Sequence, residues 1–177
     1  SEPLIAKFYR LQRWTNEAIL EEHRFTFELA ECEVPVVAPL IQNGESLFEH
    51  AGFRFALFPR HGGRAPEPGN LDQLHRLGQF LGRFHAVGST RLFEHREDLG
   101  VNNFGHDSLN TLLEGNFIPN SMLSAYESVA RELLNRVEAV YKDTPHRNIR
   151  IHGDCHPGNM MCRDEVFHIV DLDDCRM

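Results

Sequence analysis

The stretch Ile151-His152-Gly153-Asp154-Cys155-His156-Pro157-Gly158-Asn159, followed by Ile169-Val170-Asp171-Leu172-Asp173-Asp174, constrains this chain more than any other. An Asp, an Asn on the same loop, and an Asp closing an apolar run form a layout suited to phosphoryl transfer. That reaction is catalysed mainly by positioning and charge neutralisation. It needs a carboxylate facing the acceptor hydroxyl and oxygen ligands holding Mg²⁺. A tight loop carrying Asp154 and Asn159 can aim the first at the hydroxyl and the second at the metal. Asp171, at the end of a short strand, can supply the other ligand, because Mg²⁺ takes few protein carboxylates and completes its shell with phosphates and water.

The flanking residues suit such a loop. Ile149 and Ile151 alternate with Arg150 and His152, which reads as a short strand feeding it. Gly153, Pro157 and Gly158 are breakers that hold an irregular path. Met160-Met161-Cys162, a polar turn at Arg163-Asp164-Glu165, and Val166 to Val170 read as a hairpin delivering Asp171. The arrangement works only if that hairpin returns Asp171 beside Asn159. A rival uses His152, Asp154, Cys155, His156 and Cys162 as zinc ligands. Zinc sites usually show paired C-x₂₋₄-C or H-x₃₋₅-H spacing, and this set has neither cleanly. An isolated Asp-x₄-Asn carries no information; the full motif with its strand-terminal Asp favours phosphoryl transfer.

His152-Gly153-Asp154-x-His156-x-Gly158-Asn159 resembles the catalytic loop of the aminoglycoside-phosphotransferase-like (homoserine kinase type II-like) kinase superfamily, relatives of the eukaryotic protein kinases. Choline, homoserine and fructosamine kinases belong to it. Lys7-Phe8-Tyr9-Arg10, Arg13-Trp14-Thr15, Ile19 to His23 and Val170 to Asp174 resemble, more narrowly, the bacterial stress response kinases of serine/threonine type. The likeness runs over essentially the whole chain. It implies an α+β, bilobal, protein-kinase-like fold, with a small antiparallel β lobe carrying one helix and a mainly helical large lobe. Residues 1–60 are expected as the small lobe, 61–70 as the hinge and 71–177 as the large lobe. The Gly-rich hairpin that should precede Lys7 and the later large-lobe helices are missing from the sequence, so the chain reads as incomplete at both ends.

Composition agrees with a globular chain. Of its 177 residues 41% are apolar and 25% charged, close to average values for globular domains. Formal net charge is −8, with no run of Lys or Arg, which argues against nucleic-acid and membrane-surface partners. No apolar stretch reaches the length of a membrane span. Cys32, Cys155, Cys162 and Cys175 show no disulfide framework, so a reduced, cytoplasmic setting is the expectation. A monomer is expected as well.

Taken in order, Leu4 to Tyr9 reads as a strand, and on the resemblance its Lys7 contacts the α/β-phosphates of ATP. Trp14 to Glu31 reads as a helix with Thr15 as N-cap and Ala18, Ile19, Glu22, Phe25 and Leu29 at helical spacing. Glu22 falls on the apolar side, where a carboxylate needs a partner. The resemblance makes it the partner of Lys7, with Glu21 the near rival. Val34 to Pro39 leads into a sheet edge. Leu47 to His50, a turn at Ala51-Gly52, and Phe53 to Phe58 read as an antiparallel hairpin. The adenine is expected on backbone groups between Phe58 and His61. From Leu71 a helix runs to Gly88, with His85 expected as a core or inter-lobe histidine. Leu92 to Asn120 reads as loops and short helices. Asn120 to Tyr141 reads as an amphipathic helix whose buried stripe, from Leu123 to Val140, packs beneath the catalytic loop.

The resemblance therefore implies an ATP- and Mg²⁺-dependent kinase. Lys7, held by Glu22, would lie on the phosphates, Phe58 at the nucleotide, and Asn159 and Asp171 on the metal. Asp154 would act as the base towards a protein Ser/Thr hydroxyl, on another protein or on itself. A metabolite kinase of the same fold, acting on a small hydroxylated or amino-bearing substrate, stays open. So does a non-catalytic nucleotide-binding module. Asp173 and Asp174 could support the metal or hold a basic substrate group. His156 is expected to fix the loop.

Overall fold

The computed structural model describes residues 3–67 and 69–177. Pro68, inside the predicted connection 61–70, lies outside the described residues, as do Ser1 and Glu2 of the predicted small lobe. The chain divides into two compact units, one running up to Arg96 and resuming at Ile149–Met177, the other Glu97–Asn148.

The first unit opens with strand β1 (Leu4–Phe8), helix α1 (Asn16–Glu31) and strands β2 (Phe48–His50) and β3 (Phe53–Pro59). β3 lies centrally in an antiparallel sheet of order β1-β3-β2, with Lys7 opposite Ala56. The β2–β3 turn forms where the sequence places it, with Ala51 and Gly52 both at positive φ (50° and 79°). Two successive left-handed residues match the twist of the flanking strands. α1 begins as its cap dictates, since the Thr15 hydroxyl accepts from the Ala18 N–H at 3.2 Å. The five predicted inward residues Ala18, Ile19, Glu22, Phe25 and Leu29 are all buried.

Helix α2 (Leu71–Gly88) and the hairpin of β4 (Met160–Arg163) and β5 (Val166–Ile169) complete this unit. Its main core joins Phe25 and Leu29 of α1, Phe80 and Phe84 of α2, Phe93, and Met160, Phe167 and Ile169 of the hairpin. Phe25 meets Phe84 and Phe93 edge-to-face at 5.3 and 5.6 Å, a geometry aromatic rings favour. The hairpin therefore rests on the same core as α1. The 34–37 segment reinforces this, because the Ile169 N–H reaches the Pro35 carbonyl at 3.2 Å. Gly88 is required by a close approach, since a Cβ there would lie 2.1 Å from the Arg150 carbonyl oxygen.

The second unit holds a π-turn (Asn102–His106), helix α3 (Asp107–Glu114) and helix α4 (Asn120–Asp143). Three expectations need correction. The stripe of α4 is not buried: Leu123, Ala130 and Leu134 are half covered, while Val129 and Val140 are 60% and 66% exposed. Inside its unit only α3 and the π-turn are available to cover the helix. His85 is exposed rather than a core histidine, because the buried face of α2 narrows to Phe80, Phe84 and Gly88. The 149–152 stretch is an isolated bridge, Ile151 to Arg176, and not a strand. Among the described residues no helix is long and apolar enough to cross a membrane.

Candidate active site

All of the predicted site residues lie in the first unit, and the hairpin decides whether they meet. β4 and β5 pair in register from Met160–Ile169 to Arg163–Val166, turning through Asp164 and Glu165 at positive φ. Beyond the last pair the Val170 N–H donates to the Asn159 carbonyl at 3.1 Å. The residue after Val170 is Asp171, so the hairpin does return it beside Asn159. Asp171 has φ 57° and ψ 65°, a left-handed conformation uncommon for a residue with a side chain. The short turn Leu172–Asp174 follows it directly.

The loop is built around His152. Burial pushes its imidazole below the usual histidine range, so the ring is neutral. Its Nε2 lies 3.0 Å from the Val170 carbonyl, which can only accept, so the proton sits on Nε2. Nδ1 is then the acceptor for the Asp154 N–H at 3.3 Å. One histidine thus ties the start of the loop to the segment carrying Asp171. Both ring nitrogens are committed, which removes His152 from the zinc alternative. Gly153 has φ +81°, and a Cβ there would stand 1.9 Å from the Asp174 carbonyl oxygen, so no other residue fits. His156 caps the turn Pro157–Asn159 by accepting the Gly158 N–H, and its Nε2 lies 3.4 Å from the Asp154 carboxylate.

Asn159 points its amide at Asp154: Nδ2 donates to the Asp154 carbonyl at 3.0 Å and approaches its carboxylate at 3.3 Å. That orientation leaves the amide oxygen as an acceptor for a cation. Asp154 itself is half exposed, so an acceptor hydroxyl can reach it. Asn159 and Asp171 carry hard oxygen donors of the kind Mg²⁺ takes, and the Val170–Asn159 backbone hydrogen bond joins the two segments that bear them.

Lys7 reaches this segment from β1. Its Nζ lies 2.9 Å from Glu22, 2.9 Å from Asp171 and 3.6 Å from Asp173. Burial alone would lower the lysine, but Glu22, Asp173 and Asp171 outweigh it and hold the ammonium above its ordinary range. Asp171 is lowered in return, burial opposing and Lys7 prevailing. Burial pushes Glu22 up, against the pull of Lys7 and Arg96. The choice between the two glutamates is settled by contacts. Glu22 pairs with Lys7, whereas Glu21 accepts the backbone N–H groups of Glu94 and His95, both at 2.8 Å.

Lys7, Glu22, Phe58, Asp154 and Asp171 all line one cleft of about 710 Å³, within the range of small-molecule sites. Phe58 is paired with Ile5, and the Arg60 N–H is taken by the Pro3 carbonyl. Three sets of contacts were not read from the sequence. Arg13 ion-pairs with both Asp173, at 2.7 Å, and Asp174. Tyr9, His23 and Ser46 form a buried chain with hydrogen bonds of 2.8 Å each. Arg96, from a segment read as loops and short helices, is fully buried against Glu22. Long-range partners of this kind leave no periodic trace.

The profile of the phosphotransferase enzyme family matches residues 1–177. Stress response kinase A of Escherichia coli (strain K12) is 42% identical over 172 residues, which cover 97% of this chain and 52% of that protein. The serine/threonine protein kinase RdoA of Salmonella typhimurium (strain LT2) is 40% identical over the same share of each. The chain thus spans about half the length of the curated relatives it matches. Among solved structures, the amicoumacin kinase hAmiN in complex with AMP-PNP, Ca²⁺ and Ami aligns with a TM-score of 0.78 at 19% identity, over 99% of this chain and 53% of that one. A spectinomycin phosphotransferase in complex with ADP and spectinomycin aligns at 0.62 and 15% identity, over 99% and 58%. The fold is kinase-like.

Proposed function

The chain belongs to the phosphotransferase enzyme family, and on that premise we propose that it forms the catalytic part of an ATP- and Mg²⁺-dependent serine/threonine protein kinase. The observation that carries this reading is the position of Lys7. Its ammonium, delivered by β1, lies 2.9 Å from both the helix glutamate Glu22 and the hairpin aspartate Asp171. A cation fixed between those two carboxylates stands where the phosphates of a nucleotide would meet it.

In this reading ATP enters the cleft and its phosphates take over part of Lys7's charge from Asp171, while Glu22 keeps the ammonium in place. Asn159 and Asp171 would hold Mg²⁺, which neutralises charge on the phosphate oxygens. Asp154 orients the acceptor Ser/Thr hydroxyl and accepts its proton. The hydroxyl oxygen bonds to the γ-phosphorus as the bond to the bridging β,γ-oxygen breaks, and ADP leaves with that electron pair. His156 and Asn159 hold the Asp154 carboxylate, and the His152 contact fixes its backbone.

A protein acceptor is favoured over a cationic metabolite by Arg13. A basic metabolite would need Asp173 and Asp174 open, and Arg13 engages both of them. The relatives named as serine/threonine and stress response kinases point the same way. The test is transfer from γ-labelled ATP with Mg²⁺ by the full-length protein, offered a generic basic protein, itself, and a panel of hydroxylated amines. Label on protein supports the reading; label on a metabolite alone replaces it with the small-molecule kinase.

A further inference from the structure

We infer that Arg96 is the positioning residue that sets the Lys7–Glu22 pair against the segment carrying Asp171, a role the catalytic motif does not contain. The inference rests on the phosphotransferase reading above.

The Arg96 side chain has no exposure to solvent. A buried guanidinium survives only where its donors are satisfied, and among the described residues the acceptors here come from two places. From α1, the Ala18 carbonyl accepts from Nε at 2.8 Å and Glu22 Oε2 from Nη2 at 3.1 Å. From the segment after Asp171, the carbonyls of Asp173 and Cys175 accept from Nη1 at 2.9 and 2.8 Å. One rigid plane thus spans the helix that carries the glutamate and the backbone that carries the metal-site aspartate. Trp14 stacks on it, 4.4 Å from the guanidinium carbon to the ring centre, which fixes the orientation of the plane.

The consequence falls on Glu22. Its two oxygens are divided, Oε1 to Lys7 and Oε2 to Arg96, so the carboxylate can neither rotate nor slide without breaking a bond. Take Arg96 away and one oxygen is left buried with no cation, an environment that favours the neutral acid. Lys7 would then lose its fixed partner and settle on the carboxylates at 2.9 and 3.6 Å on its other side, Asp171 and Asp173. The lysine would leave the phosphate position and cover the aspartate expected to ligate Mg²⁺. Lysine cannot replace Arg96, because a single ammonium cannot reach Glu22 and two carbonyls at once in the fork geometry these acceptors require.

The alternative is that Arg96 merely stabilises the fold. A double-mutant cycle separates the two, with Arg96→Lys and Glu22→Gln as the single variants in the full-length protein. Two readouts are used: Mg²⁺–AMP-PNP affinity by equilibrium dialysis, and transfer from γ-labelled ATP. Removing an outer partner of a metal site typically costs about 10–100-fold. Arg96→Lys is expected to show a loss of that order in transfer, a weaker analogue affinity and a higher Mg²⁺ requirement. The double variant should lose clearly less than the product of the two single losses, because both changes break the shared Glu22–Arg96 contact. Losses that multiply, or an Arg96→Lys protein that binds and transfers like the wild type, would overturn the inference. A wild-type protein that transfers no phosphate would instead remove the phosphotransferase reading, and this inference with it.

Discussion

At Glu22 and Glu21, neighbours on one helix, the same side chain serves two purposes. Glu22 lies between Lys7 and Arg96 in the wall of the cleft. Glu21 caps the backbone of Glu94 and His95. Their amide variants should therefore separate. Glu22→Gln keeps shape but gives up the attraction to two cations, and transfer should fall about 100-fold, the scale of losing one preorganised electrostatic contact. Glu21→Gln keeps one acceptor oxygen and should lower stability by about 1 kcal/mol while leaving kcat within about threefold. Steady-state kinetics on the pair decides it, and equal losses in both would contradict these roles.

Among the elements, the two hairpins show what a sequence can and cannot reveal. Turn residues, alternation and strand-terminal Asp171 made the β4–β5 hairpin and its delivery of Asp171 legible. The β2–β3 hairpin was legible from Ala51-Gly52. The α1 cap and face were equally readable, because helical spacing and a Thr cap are local signals. What failed was burial that depends on distant neighbours: the α4 stripe and His85 carry the right spacing but lack a partner surface in their own unit. Arg96 and Arg13 escaped for the same reason, since their partners lie in segments far away in the chain. The β2–β3 turn also offers a test. Ala51 holds φ 50°, a left-handed conformation costing about 1 kcal/mol or more for a residue with a Cβ. Asn tolerates it and precedes Gly well in such turns. Ala51→Asn should raise stability by roughly 0.5–1 kcal/mol, read by thermal or denaturant unfolding, with transfer unchanged.

At the scale of the whole molecule, stability depends on pH through buried polar groups of the first unit. His23, between Tyr9 and Ser46, is lowered from 6.5 to about 4, first by burial and then by Lys7 and Arg96. The folded protein keeps it neutral, so its contribution is complete above pH 6.5 and is lost as pH falls towards 4. At roughly 1.4 kcal/mol per unit the loss approaches about 3 kcal/mol. Denaturant unfolding between pH 7 and 4 should show that loss in the wild type and a flatter profile in His23→Gln; matching slopes would contradict it. The central claim is that Asp154 takes the proton in a phosphoryl transfer for which Lys7 holds the phosphates of ATP and Asn159 and Asp171 hold Mg²⁺. The most direct measurement compares the full-length protein with its Asp154→Ala variant, for analogue binding and for transfer from γ-labelled ATP with Mg²⁺. The account predicts nucleotide affinity within a few-fold and transfer reduced at least about 100-fold. Near-normal transfer by Asp154→Ala would contradict it.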